Sequence, residues 1–207
     1  MDTLPRALMW NRLDTTGTDV VFIDDRRGLA ARGTATAATP VPYTCRYDLT
    51  TEDSGASERL DVQTEGAGWR RQVKLERTIR QWRVTASEQG DLSNALTHAG
   101  HAPVGLAGAE NPDLFTDAVD VELACAPLFA TLPIRRLGLL KEQSRNGHRV
   151  TVAWILVPSL EVVAAGRIYS RVDHSTVQLS MEGFTTQLTI DDGGYVTHYP
   201  GLVTRVP

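Results

Sequence analysis

Apolar and polar residues alternate along most of this chain with the period of two that belongs to a β-strand with one buried face. The alternation runs through Leu8-Met9-Trp10-Asn11-Arg12-Leu13, Asp19 to Asp24, Leu29 to Ala38 and Tyr43 to Thr50. Clusters of Gly, Pro and Asp separate these stretches, so they predict an antiparallel meander. Glu58 to Glu65 and a hairpin-like pair, Trp69 to Glu76 and Thr78 to Ala86, continue it. The pattern resumes in Arg149 to Val157, Leu160 to Val172, Thr176 to Met181 and Phe184 to Ile190. Asp191-Asp192-Gly193-Gly194 is a strong turn signal before the last predicted strand, Tyr195 to His198. Arg149 to Val157 is apolar on both faces near its middle, which predicts a central strand.

Two stretches depart from this pattern. Ser87 to Pro112 is rich in Gly, Ala, Asn, Ser, His and Pro and lacks apolar periodicity, so it reads as a loop-like insertion at about 87–112. Asp117 to Leu123 predicts another short strand, and Ala126 to Gly138 is the best helix candidate. Thr131 would cap that helix, Pro133 suits an early helical position and Gly138 suits its end. The architecture expected from these elements is mainly β. It is one strongly curved antiparallel sheet in a single domain, 1–207, with one or two short helices against it and room for a cavity on its buried side.

Composition narrows the partners. The chain has 207 residues, 42% apolar and 22% charged, the balance of a folded globular protein. A formal charge of -4 provides no general attraction to nucleic acid or an anionic membrane, so no nucleic-acid partner is expected. Cys45 and Cys125 belong to no metal-ligating cluster, and no cofactor is expected. The first residues hold an early acid and no apolar run of secretory type, which predicts a cytoplasmic protein. The longest apolar stretch, Ile155 to Gly166, contains Pro158 and Glu161 and is shorter than the roughly 20 residues of a spanning helix.

Leu132-Pro133-Ile134-Arg135-Arg136-Leu137, Tyr169-Ser170-Arg171, the closing Tyr199-Pro200-Gly201-Leu202 and the opening Leu8 to Asp14 carry a family resemblance. Together they resemble the bacterial family called "putative glycolipid-binding", in matching order over nearly the whole chain. The resemblance implies a spiral antiparallel β-roll, similar to the lipoprotein and glycolipid carriers of the bacterial envelope. It also implies a glycolipid or fatty-acyl ligand in the concave face. The chain departs from the family where Ala130-Thr131 stands in place of the common Asn-Thr pair.

Candidate ligand-binding residues are Arg135, Arg136, Tyr169, Trp154 and Tyr199. A guanidinium forms paired hydrogen bonds with carboxylate or phosphate and so suits an anionic headgroup. The competing reading pairs one arginine with Asp120 or Glu122 and leaves the other solvated. Trp10, Trp69, Trp82 and Trp154 with the two tyrosines either line an apolar pocket or form ordinary core. The basic stretch Arg70, Arg71, Lys74, Arg77, Arg80 and Arg83 reads as a solvated sheet edge rather than a nucleic-acid surface. His98 and His101 read as exposed loop residues.

None of the nucleophile-elbow, dinucleotide, phosphate-loop or zinc-protease signatures occurs, and the acid pairs Asp24-Asp25 and Asp191-Asp192 are explained by turns. The function expected is therefore non-catalytic binding of an amphiphile. The alternatives are a protein interaction module with a side-chain-filled core, or an unrecognised hydrolase.

Overall fold

The computed structural model describes residues 6–79, 81–141 and 146–207 and folds fourteen strands into one sheet. Its first half comprises β1 (Arg6–Arg12), β2 (Gly17–Asp24), β3 (Ala30–Ala37), β4 (Tyr43–Thr51), β5 (Ser57–Gly66), β6 (Trp69–Arg77) and β7 (Trp82–Gly90). From β2 to β7, each pairs antiparallel with the strand before it. Helix α1 (Leu92–His98) and a 3-10 turn (Pro112–Phe115) then carry the chain to the far end of the sheet, where β8 (Asp120–Leu123) is the terminal strand. After helix α2 (Leu128–Arg136), six strands step back towards the middle. These are β9 (His148–Ile155), β10 (Val162–Arg171), β11 (Thr176–Met181), β12 (Phe184–Ile190), β13 (Val196–Tyr199) and β14 (Val203–Arg205), the last pairing with β1. Every pairing is antiparallel except β8 with β9.

The sheet rolls up on itself. In a flat sheet of this order, β5 and β8 would stand eleven strand spacings apart, roughly 50 Å. Instead Ser57 N donates to Val119 O at 3.2 Å, just before β8, and Trp82 Nε1 of β7 donates to Ala118 O at 3.0 Å. Thr64 and Arg71 reach the carbonyls of Pro158 and Ser159, which follow β9, at 2.9 Å each. The result is an unclosed β-roll whose inner face is set by alternation: in β4, Tyr43, Cys45, Tyr47, Leu49 and Thr51 are buried and the residues between them are not.

Helix α2 lies inside the roll. Seven successive residues, Leu128 to Ile134, are buried, which is the signature of a helix enclosed on all sides. Phe129 meets the Tyr47 ring edge-on with centroids 5.4 Å apart, joining α2 to β4. On the other side, Gly194 turns at φ +80 beside Ile134 and Arg135. Much of the concave face is thus filled by the helix.

Several expectations need correction. The segment 87–112 is not a simple loop, because β7 continues to Gly90 and α1 follows. The Asp91 carboxylate caps α1 by accepting from Asn94 N at 2.8 Å, and Leu92 and Leu96, one turn apart, are its buried pair. His98 therefore ends a helix rather than lying in a loop, and its Nδ1 is 2.9 Å from Asn94 O. The later part of the segment seals the seam of the roll: Gly108 exchanges backbone bonds of 2.8 Å with Leu160 and Val162, and Gly105 O accepts from Arg71 at 2.7 Å.

In α2, Thr131 is not a cap but an interior residue with a buried hydroxyl that has no hydrogen-bond partner among the described residues, and Pro133 stands at the sixth helical position. Gly138 does end the helix, at φ +70. Within the basic stretch, Arg71 is buried, Arg70 pairs with Glu65 and Lys74 with Glu76, while Arg80 lies outside the described residues. No helix among the described residues is long and apolar enough to cross a membrane.

Candidate functional site

Trp154, Tyr169 and Tyr199 meet in one cavity of about 190 Å3 beneath the first half of α2. Strand register explains the convergence: Trp154 of β9 is paired with Glu122 of β8, and Tyr169 of β10 with Leu179 of β11. Pro127 and Ala130 of the helix entrance close the cavity from above, and Met181 and Leu202 complete an apolar wall.

One ion pair sits in this wall. Arg167 donates from Nε and Nη2 to the two Glu122 oxygens at 2.9 and 2.8 Å, and its guanidinium lies 4.9 Å from the centroid of the Trp154 ring. The charges cancel each other, so the cavity presents hydrocarbon and aromatic surface rather than a net charge. Burial, reinforced by the Glu122 charge, holds the Tyr169 phenol well above its ordinary pKa and pushes Tyr199 up to about 12. Both phenols therefore stay neutral across physiological pH and offer O–H groups, not phenolate charge.

Arg135 and Arg136 lie at the other end of α2, against a second cavity of about 300 Å3 that includes Asp25, Leu29, Thr51 and Gly55. Arg136 forms a two-point bond with fully buried Asp120, one of the two acids considered for it from the sequence. Arg135 is not simply solvated: its Nη1 donates to Tyr195 Oη at 2.8 Å and to Asp25 Oδ2 at 3.2 Å, and Tyr195 O–H donates to the same Asp25 oxygen at 2.9 Å. Arg6 and Arg135 also place guanidiniums 5.3 and 5.6 Å from the Tyr195 ring centroid. Of the five candidate residues, three share the first cavity and the two arginines line the second.

Sequence reasoning missed Arg167, the cation that does face the aromatic cavity. A signal existed: Arg167 is the lone charge at an inward position in the apolar run Val162 to Tyr169, and Glu122 alternates with Val121 and Leu123 in β8. Cys125 was also missed; it turns at φ +66 beside the cavity, and burial raises its thiol pKa.

Comparison with known proteins agrees with this architecture. A crystal structure of a DUF1089 family protein from Pseudomonas aeruginosa superposes with a TM-score of 0.69 and 22% identity, covering 91% of this chain and 92% of that one. Comparison with curated proteins returns no match. The model of the family described as "Putative glycolipid-binding" matches residues 7–205, and the chain belongs to that family.

Proposed function

We propose that the protein is a non-catalytic carrier or sensor that binds an amphiphile, whose apolar end enters the cavity between α2 and β9 to β11. The observation that carries this reading is the meeting of Trp154, Tyr169, Tyr199, Leu179 and Met181 around an apolar space whose one ion pair is already self-satisfied. Each methylene transferred from water to such a space contributes about 0.8 kcal/mol. At about 190 Å3 the cavity is smaller than the roughly 300 Å3 at which ligand pockets begin, so it takes the end of an acyl chain and leaves the polar part outside. The family description supports a glycolipid as the amphiphile.

A fluorescent fatty acid titrated into the protein tests the reading, with a short-chain glycolipid as competitor. Saturable binding that the competitor displaces is expected, together with quenching of Trp154. Absence of saturable binding would favour a second reading, an interaction module with a filled core, for which the burial of seven of the nine α2 residues speaks.

A further inference from the structure

One edge of β10 is open along part of its length. On one side the strand pairs with β9 throughout its first half, from Val162 opposite Ile155 to Arg167 opposite Val150. On the other side Val162 N donates to Gly108 O at 2.8 Å, and β11 begins to pair only at Ile168. Successive residues of a strand turn their N–H and C=O to opposite sides, so Ala164 and Gly166, like Val162, aim theirs into the gap between these two contacts.

Gly166 O accepts from Arg167 Nη1 at 3.0 Å. The N–H groups of Ala164 and Gly166 and the C=O of Ala164 meet no protein partner among the described residues, and both residues are exposed. Gly108 stands at φ +102, where glycine alone is at ease, and its segment leaves the edge after this single bridge.

The surroundings of the gap are apolar. Leu106, Leu114 and Val163, 79%, 63% and 38% exposed, line one groove of about 650 Å3 together with Ala164 and Phe115. The strand reads Val162-Val163-Ala164-Ala165-Gly166 here, without the charge or proline that ordinarily keeps a free edge from pairing. Single exposed apolar residues need no explanation, but three of them beside unpaired ladder groups have the chemistry of a seat for an added strand.

Charge selects the occupant. Glu110 and Glu161 are the charged residues that line the groove, and neither forms an ion pair among the described residues. Glu161 Oε1 accepts from Gly105 N at 2.8 Å, a bond that leaves its negative charge uncancelled. A second copy of the chain, pairing edge to edge, would set these acids against their own kind, and an anionic lipid surface would be repelled. A segment that carries lysine or arginine would be attracted.

We propose that the open edge of β10 docks an extended peptide segment of a protein partner. The segment adds as a short strand at Ala164 and Gly166, sets apolar side chains against Leu106, Leu114 and Val163, and places a lysine or arginine near Glu110 and Glu161. This site goes beyond the amphiphile reading and does not depend on it.

The test uses three heptapeptides and the backbone amide signals of the protein in NMR. One peptide alternates valine and threonine between terminal lysines, the second replaces the lysines by glutamates, and the third is the lysine form with proline at its centre. The lysine peptide, raised to about 1 mM, should shift the Ala164 and Gly166 amides saturably and slow their exchange with solvent. At low salt the glutamate form should bind roughly tenfold more weakly, and the proline form, short of one N–H, at least about fivefold more weakly. Ala164→Pro removes an N–H that serves no ladder in the free protein, so the fold should persist while affinity falls roughly tenfold. Leu114→Ser leaves β10 untouched and provides the second check, with affinity lowered roughly three- to tenfold at an unchanged unfolding midpoint.

Silence of both amides towards all three peptides overturns the proposal, as does parental affinity in Ala164→Pro and Leu114→Ser. Shifts of these amides on raising the protein concentration alone would assign the edge to a second copy. Shifts with vesicles of phosphatidylcholine and phosphatidylglycerol, but with no peptide, would assign it to a membrane. Either of these results also overturns the peptide site.

Discussion

Arg136 closes on Asp120 with two parallel hydrogen bonds, Nε to Oδ1 at 3.1 Å and Nη2 to Oδ2 at 2.5 Å, and Asp120 has no exposed surface at all. The pair ties the end of α2 to β8, the terminal strand of the sheet. Removing one partner of a buried pair leaves an uncompensated charge, which costs about 3–5 kcal/mol. Arg136→Ala should therefore unfold at much lower denaturant, while Arg135→Ala loses less because Tyr195 and Arg6 remain beside Asp25. Amphiphile affinity of the folded Arg136→Ala protein should match that of the parent. Parental stability with weakened binding would instead make Arg136 a ligand group.

Gly33 and Tyr47 face each other across β3 and β4, and a Cβ at position 33 would lie 1.9 Å from Cζ of the tyrosine ring. Glycine here is a packing requirement, because Tyr47 must cross Gly33 to reach Asp19 of β2. Gly33→Ala should cost about 3 kcal/mol, at the upper end of overpacking in a filled core. In a double-mutant cycle with Tyr47→Leu, the pair should cost less than the sum of the single changes, since the smaller side chain removes the clash. Strict additivity in urea unfolding would show that the ring does not occupy this place.

The strands were legible where local alternation decides structure. Thr176–Met181 and Phe184–Ile190 form strands with the bounds that their pattern implies, and β4 buries every second residue as its sequence suggests. What stayed hidden depends on distant partners. β14 is three residues long and exists because β1 waits beside it, a pairing no local window contains. Helix α1 is anchored by two leucines and an aspartate cap inside a stretch whose overall composition resembles a loop. Pro133 favours a helix start by intrinsic preference, and enclosure of α2 by the roll overrides it. Aromatic content pointed to Trp154, Tyr169 and Tyr199, but nothing local said that they share a cavity with Arg167 while Arg135 and Arg136 do not.

Asp19 lies fully buried beneath this core, and burial pushes its carboxyl up to about 7 against the hydrogen bond from Tyr47 and the charge of Arg12. Because the folded value exceeds the unfolded 3.8, folding binds a proton between the two. The Asp19 contribution is thus fully favourable below the unfolded value, declines as pH rises through about 7, and is flat above it. The full span corresponds to about 4 kcal/mol. Asp19→Asn should remove this slope, so urea unfolding at about pH 5 and about pH 8 should show the variant gaining on the parent at the higher pH. An equal difference between the two proteins at both values would mean that Asp19 titrates normally in the fold.

Ala130 offers a direct probe of the apolar cavity, since it projects from α2 into the space bounded by Trp154, Tyr169 and Leu179. In a core without free volume, Ala→Leu adds atoms that have nowhere to go and costs about 1–3 kcal/mol. Here the added side chain has a cavity of about 190 Å3 to enter, so Ala130→Leu should change stability by less than about 1 kcal/mol while removing most of the binding of a fluorescent fatty acid. The two readouts are independent. A large loss of stability would mean that the space is closed in solution, and unchanged fatty-acid affinity at parental stability would move the apolar site away from α2.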